Sequence, residues 1–411
     1  MNNNNVVEIS DNIFFIGVFD SEIRTFDIIM KTANGSSYNA YLIKTSEGII
    51  VVDGVKIEFQ EEYFRKLEQL CQYDEIKYVI SHHLEPDHAG SIPELIKRCT
   101  SAKVLVSPQA ANMLKALVKS ESINFETVWT NKSITLGEKT VQFLTTPYLH
   151  WPETMSSYVV ENKLLFSGDV FGSHYCDERL FEEQVGDFSY AFSYYYDHIM
   201  RPFKSYVQNA IKLYEKLTID LIAPLHGPIL NHHPQKYIQL YKKYSEPTHK
   251  SHKVLSIFYL TSYKNTRNMA QKIYEGCESV EGIVANVYDL ASLDEQNMIK
   301  ILDESDGILI GTPTINGDAP KPVWDLLCCM MFLEKKGKIA QAFGSYGWSG
   351  EAIDMIIDRL KFLHFKVPPM NLLKIKLIPT KEELQECFDF GVEFCEILNG
   401  KMIEITMTSN N

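Results

Sequence analysis

The chain contains no Cys-x-x-Cys pair. Its 8 cysteines are scattered, and Cys328 and Cys329 are merely adjacent. With no secretory signal, a disulfide framework is not expected in a chain of this length. Positive charge is also scarce: 40 Lys and Arg against 53 Asp and Glu leave a net charge of −13. That balance argues against nucleic acid as a partner. No apolar run approaches a membrane span, so no membrane association is expected. The polar start Met1-Asn2-Asn3-Asn4-Asn5 lacks the apolar core of a signal peptide and reads as a frayed tail. No internal repeat or long low-complexity tract is present. The expectation is a cytoplasmic chain with ordinary globular cores, which 45% hydrophobic content can supply. A length of 411 residues suggests two domains.

The hydrophobic pattern supports an α/β class. Strand-like and helix-like stretches alternate to about residue 244. The segment from Ser245 to Lys253 then carries proline and charge without an apolar period, and reads as a linker. His249 and His252 within it are read as solvated. From Val254 the pattern restarts as βαβ units. Val254–Tyr259, Gly307–Gly311 and Ile339–Gly344 are buried-strand runs separated by amphipathic stretches, and Thr380 to Leu398 reads as a closing helix. That alternation implies a parallel, doubly wound sheet. The expected domains are residues 1–250 and 251–411.

The densest chemistry lies in His83-Leu84-Glu85-Pro86-Asp87-His88, directly after the apolar run Lys77–Ser81. A helix can open from Gly90, which places these residues on the intervening loop. Two imidazoles and two carboxylates suit a hard or borderline metal. Matching candidates follow further apolar runs: His150 after Val141–Leu144, Asp169 after Leu164–Phe166, and His226 after Leu221–Ala223. A single histidine at a strand end is commonly structural; the repetition at several strand ends favours a shared site.

This constellation resembles the metallo-β-lactamase fold, whose common pattern is His-x-His-x-Asp-His. Here Glu85 stands where that pattern has its second histidine. That change, with Leu149-His150-Trp151-Pro152-Glu153-Thr154-Met155 and Pro224-Leu225-His226-Gly227-Pro228, resembles the flavodiiron proteins, diiron enzymes fused to a flavodoxin-like domain. The likeness spans essentially the whole chain. It implies an N-terminal αββα sandwich and a C-terminal flavodoxin-like sheet. It also implies that one iron takes His83, Glu85 and His150, that the second takes Asp87, His88 and His226, and that Asp169 bridges them. Three carboxylates and one hydroxide would cancel the charge of two ferrous ions, which limits the cost of burial. Zinc can use similar ligands.

Other positions are read more modestly. His82 is left out of the ligand set, because adjacent strand-end side chains point apart. His174 is read either as a neighbour of the metal ligands or as an ordinary packed histidine. Asp53 matches a bracing position of the fold. Phe26 and Asp27, and Tyr195 and Tyr196, lie in stretches that resemble the family's diiron pocket. A tyrosine there could donate a hydrogen bond or a proton, and aromatic packing is the alternative.

Ligands of doubly wound sheets bind beyond the carboxyl ends of the strands. Three segments fit: Thr261-Ser262-Tyr263-Lys264-Asn265-Thr266, then Pro313 and Thr314 with Asn316, then Ser345-Tyr346-Gly347-Trp348. Hydroxyls and backbone amides at a helix start suit a phosphate. Together these segments resemble the FMN loops of flavodoxin-like domains, with Trp348 expected near the flavin. Lys264 departs from the family's usual glycine, and a required positive φ there would cost energy.

The resemblance implies an oxygen reductase in which FMN feeds two iron ions and O2 is taken to water. Reduction of NO to N2O is a second implied activity. Rubredoxin-type iron sites need Cys-x-x-Cys elements, so the electron donor is expected to be a separate protein, rubredoxin-like or a flavin reductase. A head-to-tail homodimer or a dimer of dimers is also implied. Two other readings are open to the sequence: a dizinc hydrolase with a regulatory flavodoxin half, and a gas or redox sensor without turnover. Glu85 and the three FMN-type loops count against the first, and the complete ligand set counts against the second.

Overall fold

The computed structural model describes residues 6–27, 30–246 and 251–400. The amino-terminal asparagines, His249 and the middle of the expected linker lie outside them. The linker's flanks differ from expectation: Ser245 ends the helix Pro234–Ser245, and Lys253 opens the strand Lys253–Tyr259. His252 is exposed. The chain divides into two compact units between Glu246 and Pro247.

The described residues of the first unit hold two large β-sheets and two small ribbons of 2 strands each. The 7-stranded sheet runs Val7–Ser10, Ile13–Phe15, Tyr41–Thr45, Gly48–Val52, Ile76–Ile80, Lys103–Val106, Phe125–Thr127. The 5-stranded sheet runs Ser133–Leu136, Lys139–Thr145, Met155–Val159, Leu164–Phe166, Leu221–Ala223. One buried cluster joins Phe15, Tyr41, Ile43, Ile50, Val52 and Ile80 of the first sheet to Val141, Phe143, Phe166 and Leu221 of the second. Each such large side chain contributes about 1.5–3 kcal/mol on burial. A second cluster packs other strand residues, such as Val51, Val79 and Leu165, against helices including Gln60–Glu68 and Lys204–Tyr214. That is the expected αββα sandwich.

Strand direction decides where the chain can build a site. Lys139–Thr145 and Leu164–Phe166 each pair antiparallel with Met155–Val159, so both point the same way. Leu221–Ala223 runs parallel to Leu164–Phe166. The carboxyl ends of all three therefore meet at one sheet edge.

The second unit is a parallel sheet of 5 strands in the order Ile283–Asp289, Lys253–Tyr259, Gly307–Pro313, Ile339–Tyr346, Leu373–Lys376. In chain order this is 2-1-3-4-5, the flavodoxin-like arrangement with its switch point beside the first strand. Ile283–Asp289 and Leu373–Lys376 were not among the sequence-predicted runs. They are the edge strands, and each mixes buried with exposed positions. The closing helix Lys381–Leu398 begins with a capping box. Thr380 Oγ1 accepts from the Glu383 amide at 3.1 Å, and Glu383 accepts from the Thr380 amide at 2.8 Å.

Candidate functional site

The seven expected ligands converge in the first unit. His83 follows the strand Ile76–Ile80, His150 follows Lys139–Thr145, Asp169 follows Leu164–Phe166 and His226 follows Leu221–Ala223. One local expectation is corrected. The helix opens at Pro86, not after Gly90, so Asp87 and His88 sit in the one-turn helix Pro86–Ala89. Proline at the first helical position supplies the preset φ for that early start.

Two groups of side chains form. In the first, Glu85 Oε2 lies 3.0 Å from both His83 Nε2 and His150 Nε2. Asp169 Oδ2 lies 3.5 Å and 3.6 Å from the same nitrogens. In the second, Asp87 Oδ2 lies 3.1 Å from His88 Nε2 and 3.2 Å from His226 Nε2. Asp169 Oδ1 lies 3.5 Å and 3.7 Å from these. Asp169 thus turns one oxygen to each group.

The donor set fits metal ions better than hydrogen bonding alone. His88 Nε2 and His226 Nε2 approach to 3.1 Å. Both carboxylate oxygens of Asp87, and Asp169 Oδ2, are buried without a hydrogen-bond partner. Ligands about 2.1 Å from an ion and at right angles to each other stand about 3.0 Å apart, close to these spacings. All atoms of each group lie within 4.8 Å of one another. The mixture of imidazole and carboxylate is that of non-haem iron sites.

Electrostatics point the same way. Burial works against charge on His83, but Glu153, Glu85 and Asp169 outweigh it and hold its ring up at about 10. Burial likewise opposes charge on His88, and Asp87 and Asp169 hold it well above the usual range. Burial would raise the Asp169 carboxyl, yet His88, His83 and His150 hold it well below. The surroundings of both histidines thus favour positive charge at the two groups.

Neighbouring groups orient the histidines. His226 Nδ1 donates to the Ser37 carbonyl at 2.6 Å. His83 Nδ1 donates to Glu153 Oε1 at 2.8 Å. His82 turns away, to Asp53 at 2.6 Å and Ser157 at 2.8 Å, so the omission of His82 and the bracing role of Asp53 agree with the geometry. His174 is buried beside the site: Nδ1 meets Ser36 Oγ at 2.8 Å, and its ring lies 4.2 Å from Phe26 and 4.8 Å from His226. Tyr195 donates to Asp169 Oδ1 at 3.0 Å. Burial and the Asp169 charge push its hydroxyl well above the usual range, so it stays a donor. Tyr196 instead packs against Tyr241 and Tyr244. Sequence reasoning missed the contributions of Glu153 and Ser37. Glu153 lies in the quoted His150 motif, which was its one available signal.

A cavity of about 610 Å³ opens against Glu85 and Asp87, and Phe26, Asp27, Ile57 and Leu117 help to line it.

In the second unit the three predicted segments gather at the carboxyl ends of the parallel strands. Lys264 adopts φ +68°, the left-handed conformation, immediately before the helix Asn265–Glu278. Pro313 ends its strand, and Thr314 donates its amide to the Ser345 carbonyl at 2.9 Å. Asn316 and Gly317 both take positive φ between Ile315 and Asp318, as tight two-residue turns require. Ser345 and Tyr346 are the last strand residues, one step earlier than a loop would place them. Thr266 and Ser345 hydroxyls share a 3.0 Å hydrogen bond. Thr261 Oγ1 and Thr314 Oγ1 are buried without partners, whereas Tyr263 is 87% and Trp348 75% exposed. Unsatisfied hydroxyls at the carboxyl ends of two neighbouring strands, with two exposed aromatic rings on loops at the same ends, suit a phosphate carrying a planar ring system. Ser262 and Gly347 complete the two loops, and a Cβ at Gly347 would meet nothing within 4 Å.

Comparison with known proteins matches both units to described families. Residues 37–227 match the ODP family beta lactamase model, and residues 257–391 match the flavodoxin model. The type A flavoprotein fprA of Rhodobacter capsulatus is 42% identical, over 96% of this chain and 92% of that protein. A nitric oxide reductase of Moorella thermoacetica is 33% identical, over 94% of this chain and 97% of its own length. The solved rubredoxin oxygen:oxidoreductase of Desulfovibrio gigas superposes with a TM-score of 0.71 at 26% identity, covering 96% of this chain and 99% of that one. The chain belongs to the flavodiiron proteins, the type A flavoproteins, and is an oxidoreductase with FMN and a diiron centre as cofactors.

Proposed function

We propose that this enzyme reduces O2 to water with four electrons, and that NO, reduced to N2O, is a second substrate. The two carboxylate oxygens of Asp169, one facing each group of candidate ligands, carry this reading, because they would let one carboxylate serve two ions. His83, Glu85 and His150 would hold one iron and Asp87, His88 and His226 the other. Thr261, Ser262, Tyr263, Asn265, Thr266, Pro313, Thr314, Asn316, Ser345, Tyr346, Gly347 and Trp348 would surround the FMN. When bound, the flavin and the ferrous pair can each supply two electrons, the four that O2 requires.

The chain's own residues set the conditions. The cavity against Glu85 and Asp87 is lined by Ile23, Phe26, Ile57 and Leu117 beside the charged Asp27, Lys56 and Glu58, and its apolar part suits a small neutral gas. The Tyr195 hydroxyl oxygen lies 3.0 Å from Asp169 Oδ1 and keeps a proton donor beside the carboxylate that would serve both ions. Ser37 and Glu153 fix the tautomers of His226 and His83, so each Nε2 lone pair faces the ion position.

The names of the Desulfovibrio gigas and Moorella thermoacetica relatives support O2 and NO as the gases and a redox protein as donor. We assign the diiron domain to residues 1–250 and the FMN domain to residues 251–411, in a head-to-tail homodimer or a pair of such dimers. A cytoplasmic location fits 8 unpaired cysteines, and no helix of the described residues is long and apolar enough to cross a membrane.

The test is anaerobic reduction of iron- and FMN-loaded protein, followed by mixing with O2 or NO in separate runs. Rapid O2 loss without peroxide, and N2O from the NO run, are expected. Absence of turnover of both gases with full cofactor content would overturn the reading.

A further inference from the structure

A buried carboxylate stands behind one metal group and not the other. Glu153 is 1% exposed. Its Oε1 accepts from His83 Nδ1 at 2.8 Å and from the Leu84 amide at 3.1 Å, while Oε2 has no partner. Its backbone carbonyl is tied to Ser107 Oγ at 2.6 Å, which fixes the segment against the neighbouring sheet. The second group is supported differently. His226 Nδ1 donates to a neutral backbone carbonyl, that of Ser37. His88 Nδ1 is buried without a hydrogen-bond partner.

We propose that Glu153 is a positioning residue that makes the two metal positions unequal, so that the ion held by His83, Glu85 and His150 binds more tightly than the ion held by Asp87, His88 and His226. This rests on the ligand assignment above. A carboxylate behind an imidazole fixes the tautomer and raises the basicity of the coordinating nitrogen, and such partners are worth about 10- to 100-fold in metal affinity. A carbonyl orients the ring but adds no net charge. A buried carboxylate also needs nearby positive charge. A bound ion would supply that charge through the His83 ring, taking the place of the ring's own proton in the metal-free chain.

The experiment uses full-length protein stripped of metal and titrated anaerobically with Fe(II) against a chromophoric chelator. Native protein takes up two ions in two resolved steps. Asp87→Asn abolishes the weaker step and leaves the tighter one, which assigns it. Glu153→Gln keeps an oxygen acceptor for the Leu84 amide but loses the charge. It weakens the tighter step about 10- to 100-fold and moves the weaker one less than about threefold. Glu153→Asp, which keeps the charge, recovers part of that loss. Thermal melting of each metal-free variant shows whether it folds. Equal weakening of both steps by Glu153→Gln, no change in either, or no recovery in Glu153→Asp overturns the inference. Binding of fewer than two ions by native protein overturns the ligand assignment itself.

Discussion

Tyr195 donates its phenolic hydroxyl to Asp169 Oδ1 at 3.0 Å, from a helix to the one carboxylate shared by both metal groups. Hydrogen bonds to charged acceptors are worth about 1.5–3 kcal/mol. In Tyr195→Phe, iron content is expected to stay at the native level while turnover with O2 falls about tenfold or more, the equivalent of about 1.4 kcal/mol or above. Iron analysis and stopped-flow oxygen consumption on the same preparation check this. Native turnover would remove Tyr195 from the machinery.

Asp169 is the residue whose loss should damage both metal positions at once. Asp169→Asn keeps the shape but removes the charge from a side chain that is 1% exposed. Less than one iron per chain is expected after reconstitution, with FMN content unaffected. Two irons per chain in this variant would contradict the bridging role.

Metal uptake should release protons. The His83 ring is held at about 10 in the metal-free chain, above its ordinary 6.5, and His88 is also raised. Both must lose a proton to bind an ion. Metal affinity therefore rises with pH from neutrality toward about 10. Calorimetry in buffers of different ionisation enthalpy should report release of about two protons per chain near pH 7. An identical heat in all buffers would refute this. For the metal-free fold the sign is opposite. A raised histidine stabilises fully below its unfolded value of 6.5, and that contribution is lost as pH rises to about 10. The depressed Asp169 stabilises above its unfolded value of 3.8, and that contribution is lost in acid. The melting temperature of stripped protein should peak between about pH 4 and 6.5.

Lys264 sits exposed at φ +68° immediately before the helix Asn265–Glu278, in the segment proposed to hold the FMN phosphate. Lys264→Gly relieves left-handed strain of about 1–2 kcal/mol, and glycine's added chain entropy opposes this by about 0.5–1 kcal/mol. Stability should change by less than about 1 kcal/mol. FMN affinity should fall a few-fold, and more at low salt than at high salt, because a charge is lost. Flavin fluorescence titration at two ionic strengths tests this. A salt-independent loss would place the lysine away from the phosphate.

Much of the candidate site was legible because its signals are local. Apolar runs ending in His83, Asp169 and His226 mark strand ends, and each needs only a few residues of context. The parallel sheet of the second unit was readable for the same reason in its central strands, which are buried along their length. Its edge strands Ile283–Asp289 and Leu373–Lys376 were not, since exposure on one side breaks the apolar run. The start of the helix at Pro86 was missed because polar ligand residues hide the helical pattern.

The sequence by itself determined the candidate ligand types, their strand-end placement and the loops at the carboxyl ends of the second sheet. Those follow from hydrophobic periodicity and residue chemistry over short stretches. The tertiary structure alone decided which oxygen of Asp169 faces which group, that Tyr195 reaches Asp169 while Tyr196 packs in the core, and that Glu153 supports His83 across 70 residues of chain. These depend on how strands pair and point, because side chains distant in sequence meet only after the two sheets stack and bring their carboxyl ends to one edge.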